Sequence, residues 1–360
     1  MMPEENQGVL ASQGLDRRRL LMFTALFLGF TLLGVLVVFL HLDNGPVVFD
    51  RRLLSPQLLV ASLLLLVIYF LADGLRLYFT VRALGYQVPA GLMARLVFVN
   101  ILVSNLTPMA TGGGVVQVWY LQKAGVPIGT ATAATTIRTT LAVLVIFTLA
   151  PVFLLFMDSL TEAINWNPRL TIYLLAFVVI YVSVLLLAIF RNRWLLVPIA
   201  WILNRLCRWR VLDQQRVRRL YFRIRRELVL LNRGFTDFIS SRGLFSVLAL
   251  CCTFIFLLSL FSFPMLLLLA LDYDLSYLKV LGIQVVTTFI MYFSPTPGAS
   301  GIAEGVFGHF FSDIVSAGHL LILTFAWRLL TIYTGMLIAL VLIKGDLISR
   351  LSGKGEVTNA

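Results

Sequence analysis

The sequence predicts an all-α polytopic membrane protein made of two inverted repeats, each reading helix, helix, re-entrant hairpin, helix. Three observations predict it. The 360-residue chain is 59% hydrophobic and only 13% charged, whereas a soluble globular chain is about a quarter charged. Its apolar residues come in runs of about 20 or more, the length that crosses roughly 30 Å of hydrocarbon. Two shorter apolar runs end in breakers rich in proline and glycine, and the two breakers are near copies of each other. The long runs do not alternate apolar with polar residues, which excludes a transmembrane β-barrel.

The first run, Leu20 to His41, follows Arg17, Arg18 and Arg19. It is too long for a signal-peptide core, and no small-x-small cleavage site follows, so it reads as an uncleaved anchor. Pro56 opens a second helix to about Tyr78, since proline suits a first helical turn. The stretch Leu92 to Leu106 is too short to span. It meets the breaker Asn105 to Gly114, and a second short segment, Val115 to Lys123, follows. Such a pair suits a re-entrant hairpin, whose broken backbone is tolerated only inside protein or beside a wet cavity. Spanning runs follow at Ile128–Met157, Leu170–Phe190 and Leu244–Leu271. The short-run pattern then recurs: Leu278 to Phe293, a breaker from Ser294 to Gly301, and Ile302 to Phe311. A last long helix covers Leu320 to Ile343. The expected count is six full spans and two re-entrant pairs. The first repeat occupies 20–157 and the second 170–343, interrupted by a basic segment at 191–242, with tails at 1–19 and 344–360.

Charge supports that count. With both short pairs re-entrant, only Arg51, Arg52, Arg169 and Lys279 fall on one side, and Arg76, Arg138 and Arg328 lie within helices. Every other lysine and arginine shares the opposite side. The positive-inside rule then places both termini in the cytoplasm of a bacterial-type inner membrane. Within the basic segment, Val217, Leu220, Ile224, Leu228 and Leu231 recur at helical spacing among arginines. This predicts a helix over Val211–Phe238 lying on the membrane surface with its arginines toward anionic lipid. The alternative is that it packs on the protein's own cytoplasmic surface. Nucleic acid is not an expected partner, because membrane tethering argues against it.

The breakers Thr107-Pro108-Met109-Ala110-Thr111-Gly112 and Thr296-Pro297-Gly298-Ala299-Ser300-Gly301 match in type and order. A long helix with an embedded arginine follows each, with Arg138 and Arg328 at nearly the same spacing from Pro108 and Pro297. The first hairpin enters from the cytoplasm and the second from outside, which makes the repeats inverted, an arrangement of transporters with midplane sites at broken helices.

Arg138 lies roughly 15 Å into its helix at about 1.5 Å per residue. An arginine at the bilayer centre costs about 2.5–3.5 kcal/mol on insertion scales, so it needs a partner. Two readings stay open for Arg138 and Arg328. Either each clamps breaker carbonyls or a carboxylate such as Glu304, or each presents its planar fork to an anionic headgroup. Gly112 and Gly113 allow close backbone approach. Asn105, Thr107, Thr111, Gln117, Thr296, Ser300 and Gly301 complete the candidate substrate-binding set. Pro108, Pro295 and Pro297 are its structural breakers. Asp73 and Arg76, three apart on one helix, are expected to pair with each other.

No catalytic constellation is visible. Cys207, Cys251 and Cys252 form neither a disulfide framework nor a zinc site, and His41, His309 and His319 are scattered. No cofactor or metal is expected. Glu304 and His309 are near neighbours, but no acid–base pair or nucleophile triad is recognisable.

The stretches NLTPMATGGG…KAGVPIGTATAATTIRT, SPTPGASGIAEG and FAWRLLTIY resemble the membrane region of the lysylphosphatidylglycerol synthase/flippase family and its stand-alone relatives. The resemblance covers roughly residues 20–345, with Glu304, Arg328 and the second breaker its most specific parts. It implies a lipid flippase or scramblase-like transporter for a lipid with an anionic or zwitterionic headgroup. In full-length members a separate soluble domain performs aminoacyl transfer; that domain has no counterpart in these 360 residues, and the activity is not expected. The first breaker departs from the family pattern, with Ala-Thr-Gly-Gly-Gly where a glycine and an acidic residue are expected; Gln117 is the nearest polar substitute. The alternative function is a non-catalytic scaffold or regulator of a lipid- or glycolipid-modifying enzyme. Membrane lipids are the expected partners, together with a second copy of the chain or such an enzyme.

Overall fold

Every regular element in the computed structural model is helical among the residues it describes, which are 50–156, 168–190, 214–240 and 243–353, with single positions at Gly29, Trp201 and Arg205. The expected first helix at 20–41, the tail 1–19 and the first part of the basic segment lie outside the described residues. The helices are α1 (Pro56–Ala83), α2 (Ala90–Leu106), α3 (Thr111–Lys123), α4 (Ile128–Phe156), α5 (Pro168–Phe190), α6 (Gln214–Ser240), α7 (Leu244–Ala270), α8 (Tyr277–Met291), α9 (Ile302–Phe311), α10 (Ala317–Arg328) and α11 (Thr334–Gly353). A π-helical stretch, Leu329–Tyr333, joins α10 to α11 directly after Arg328. Four helices among the described residues are long and apolar enough to cross a membrane: Pro56–Ala83, Ile128–Phe156, Leu244–Ala270 and Ala317–Ile343. The final helix continues to Gly353, well into the stretch expected as a C-terminal tail.

The spanning helices bury one stripe and turn the other outward. On α1 the buried face is Leu66, Tyr69, Ala72, Asp73, Arg76 and Thr80, a three-to-four spacing. Leu59, Leu63, Leu64, Val67 and Leu71 are exposed on the opposite side. An exposed apolar stripe of that length is hydrocarbon-facing surface, not a defect. The α1–α7 pair is the most extensive in the fold. It is knitted by Tyr69, which stacks on Phe256 at 5.1 Å and meets Phe263 edge-on at 5.8 Å. On α4 the alanines Ala131, Ala133, Ala134, Ala142 and Ala150 are buried; small residues let membrane helices approach closely.

The two short pairs, α2–α3 and α8–α9, are helices of 17, 13, 15 and 10 residues. Each pair is joined by a one-turn 3₁₀ break, at Pro108–Ala110 and Pro297–Ala299. The breaks share an unusual backbone. Met109 and Ala110 both have φ 54°, and the matching Gly298 and Ala299 have φ 59° and 54°. Left-handed backbone costs an L-residue roughly 1–2 kcal/mol. Its appearance at equivalent positions, once with Met and once with Gly, indicates a shape imposed by the fold. Past the first break, a Cβ on Gly113 would collide with Ser104 Oγ and stand 2.5 Å from Asn100 Oδ1. Glycine is therefore what lets α3 lie against α2.

Helix α6 is the amphipathic helix expected at Val211–Phe238, displaced by a few residues. Its later half packs on the protein. Leu231, Phe235 and Phe238 join Ile137 and Ala249 in a small core, and a Cβ at Gly234 would stand only 2.6 Å from Ala133 Cβ. Arg218, Arg219, Arg225, Arg226 and Arg233 remain exposed. Gly234→Val is accordingly expected to lower stability by about 1–3 kcal/mol through overpacking. Thermal unfolding in detergent checks this, and an unchanged midpoint would mean that α6 is not seated on α4 through this glycine.

At one end of the bundle a polar cluster ties three loops together. The Arg52 amide donates to Asp50 Oδ1 at 2.9 Å and holds the Asp50 carboxyl below its usual range. The Arg52 guanidinium pairs with Asp272, and Tyr273 Oη lies 3.0 Å from His319 Nδ1.

Candidate functional site

The two breaks pack against each other. Beside them lies a cavity of about 430 Å³, walled by α1, α2, α3, α4, α7, α8 and both breaks. Met109 and Ala110 line it from the first break, and Thr296, Gly298 and Ala299 from the second. Among the described residues two arginines line it, Arg76 and Arg138, and no carboxylate does.

The counter-charge stands behind them. Asp73 Oδ1 accepts from Arg76 Nε at 2.8 Å and from Arg138 Nη2 at 2.5 Å, and Arg76 Nη2 lies 2.6 Å from the same oxygen. All three residues are buried. Two guanidiniums thus share one carboxylate, leaving a net positive cluster on the cavity wall. The Arg76 guanidinium also lies 3.8 Å from the centroid of the Phe256 ring, a cation–π contact that adds to its desolvated environment. Arg76 Nη1, Arg138 Nε and Gln117 Nε2 have no hydrogen-bond partner among the described residues, and surrounding atoms shut these three off from the cavity. What the cavity meets is two guanidiniums, which can only donate, so this wall suits a ligand that supplies acceptors.

Arg328 is placed differently. Its Nε donates to Glu304 Oε1 at 2.7 Å and its Nη2 to the Gly298 carbonyl at 3.2 Å. Glu304 Oε2 accepts from the Gly301 amide at 2.6 Å, and neither side chain lines the cavity. In this half the arginine fork holds the break itself. The remaining expected residues separate into two groups. Gln117, Asn105 and Thr296 line the cavity with Arg138. Asn105 Nδ2 also donates to the Ile101 carbonyl at 2.8 Å, and Thr296 Oγ1 to the Ser300 carbonyl at 2.8 Å. Thr107, Thr111, Gly112, Gly113, Ser300 and Gly301 build the breaks. Thr107 Oγ1 accepts from the Gly112 amide at 3.0 Å, Thr111 Oγ1 donates to the Pro108 carbonyl at 3.1 Å, and Ser300 Oγ donates to the Pro297 carbonyl. Pro108 and Pro297 open the two 3₁₀ turns, with Pro295 just before the second.

Sequence reasoning paired Asp73 with Arg76 but did not bring that pair to Arg138, nor Arg76 to the cavity. A signal was present: a carboxylate inside an apolar span is costly enough to mark a site by default.

A family model described as the lysylphosphatidylglycerol synthase TM region matches residues 14–339. The chain belongs to that family. A UPF0104 membrane protein of Archaeoglobus fulgidus is 25% identical over 301 residues, which is 84% of this chain and 90% of the relative. This is therefore a membrane protein of the lysylphosphatidylglycerol synthase TM-region family, and the cavity between its two breaks is the candidate functional site.

Proposed function

We propose that the protein moves a phospholipid-type amphiphile between leaflets and holds the anionic part of the headgroup at Arg76 and Arg138. One observation carries this reading: a cavity between the two helix breaks is lined by two buried arginines, with a single carboxylate behind them. A desolvated site with excess donors and net positive charge is matched by a phosphate, which offers acceptors and negative charge together. A scaffold whose arginines served only the protein would leave no such cavity. Gln117, Asn105 and Thr296 add neutral polar groups to the headgroup site, while Arg328 and Glu304 maintain its floor. Another cavity, about 700 Å³ between α1, α2 and α11, is almost wholly apolar. It has no groups to define a headgroup site and is suited to hydrocarbon chains.

The same proposal includes the topology. The matched left-handed breaks, the matched short helices and the charge bias support two inverted repeats with re-entrant pairs and both termini cytoplasmic. The exposed arginines of α6 then face anionic lipid of the inner leaflet. The role is non-enzymatic and needs no cofactor.

The test is reconstitution into vesicles carrying acyl-labelled phospholipids, with a membrane-impermeant quencher reporting the leaflet of the label. Vesicles with protein should lose label from both leaflets, and protein-free vesicles from one. Arg138→Gln leaves Asp73 and Arg76 as a balanced pair, so the protein should stay folded. Its transport should fall by about tenfold or more, the scale of a lost charged hydrogen bond. Arg138→Lys keeps the charge without the fork and should fall between the two. If vesicles with and without protein behave alike, or if folded Arg138→Gln transports at the parent rate, this reading fails.

A further inference from the structure

The open space does not end at Arg138. A second cavity, about 240 Å³ and mostly apolar in surface, is lined by Thr135, Thr136, Thr139, Thr140 and Val143 of α4, Gly114 of α3 and Tyr181 of α5. Gly114 and Thr139 line both cavities. A Cβ built on Gly114 would meet no atom within 4 Å, so the junction is open space beside bare backbone. Along α4 the first cavity touches Arg138 to Ile146 and the second Thr135 to Val143, so they lie side by side and the second reaches about 4.5 Å further toward the N-terminal end at roughly 1.5 Å per residue.

The arginines of the first cavity and two threonines of the second differ in hydrogen-bonding sense. The first cavity is faced by the guanidiniums of Arg76 and Arg138, which can only donate. In the second, Thr135 Oγ1 donates to the Thr132 carbonyl and Thr139 Oγ1 to the Thr135 carbonyl, each at 3.0 Å. With their hydrogens committed to the helix, these hydroxyls keep lone pairs and act as acceptors. A ligand that fits both compartments therefore carries acceptors at one end and donors at the other, a few ångströms apart.

Resting on the transport reading above, we infer that the two cavities form one headgroup track. A phosphodiester sits at Arg76 and Arg138, and a donor beyond it, an ammonium or a hydroxyl, sits on the threonines. The substrate class is then a phospholipid whose headgroup can donate hydrogen bonds. A quaternary ammonium has the same charge but no N–H, so it leaves the threonine acceptors unmatched. The track extends toward the N-terminal end of α4, and the headgroup enters from the leaflet at that end, past Gly114. Gly114 is the gate because it is the place where both compartments meet and where no side chain fills the passage.

The experiment compares acyl-labelled phosphatidylethanolamine with acyl-labelled phosphatidylcholine in the same vesicles. Both are zwitterions, so the arginines do not separate them; they differ in donors and in headgroup bulk, and the threonine variants tell these apart, since replacing threonine by valine keeps the size of the space. The parent protein should move the ethanolamine lipid at least about fivefold faster, the scale of one net hydrogen bond. Thr139→Val keeps the shape and removes the acceptor, so the preference should shrink, and Thr135→Val with Thr139→Val should remove it. Gly114→Leu adds a side chain where there is room and improves helix propensity, so the fold should persist while both lipids slow toward the protein-free rate. If the parent moves neither lipid, the transport reading itself fails. If it moves both at equal rates, the transport reading stands and the threonine track is wrong. Gly114→Leu at the parent rate would show that the two cavities do not lie on one path. Should a threonine variant fail to fold, the parent's ethanolamine-to-choline ratio still decides the matter.

Discussion

Arg328→Gln is expected to destabilise the folded protein by about 3–5 kcal/mol, the usual consequence of removing one partner of a buried ion pair. Glu304 is fully buried and is spoken for on both oxygens, one by Arg328 Nε and the other by the Gly301 amide. Without the guanidinium its charge has no counter-ion and no water to replace it. The second break also loses the bond from Arg328 to the Gly298 carbonyl, at a residue in left-handed conformation. The compensating change is Glu304→Gln. In the double variant two amides replace two charges, and much of the lost stability should return, because no buried ion is left alone. The measurement is thermal unfolding in detergent for the parent, both single variants and the double, read as a double-mutant cycle. Additive losses would mean that the pair is not the clamp inferred from its geometry.

Asp73→Asn should be more damaging still and should leave little folded protein. Arg76 and Arg138 converge on one oxygen of Asp73, so neutralising it leaves two like charges side by side in a desolvated site. Charged groups inside the membrane persist only when paired or hydrated. Arg138→Gln, by contrast, leaves one positive and one negative charge. The expected order of stability is parent, then Arg138→Gln, then Asp73→Asn, with the largest gap between the last two. Yield of monodisperse protein and its unfolding midpoint report this order. Asp73→Asn protein as stable as the parent would show that the carboxylate does not hold the two guanidiniums together.

These two carboxylates separate what is local from what is not. The length and composition of the apolar runs determined the membrane class, since about 20 apolar residues have few other uses. The breaks were legible because proline, glycine and short flanking runs punctuate a helix locally. The left-handed residues fall in both breaks at matching places. Asp73 and Arg76 could be paired from sequence because three residues along a helix bring side chains to one face. The apolar face of α6 was legible by its period, but its period could not say what covers it. Packing of Gly234 on Ala133 decided that.

The partner of each embedded arginine was not legible. Arg138 and Arg328 occupy matching places in the two halves, and from sequence they look equivalent. In the fold, Arg328 finds Glu304 on the short helix after its own break, while Arg138 finds Asp73, 65 residues earlier on α1. One fork therefore holds a turn, and the other stands beside a second arginine on the wall of a cavity. Composition and periodicity determine which residues must be inside a membrane protein. Where a buried charge is neutralised depends on which helices meet, because a guanidinium in a desolvated site pairs with the carboxylate nearest in space, whatever its distance along the chain.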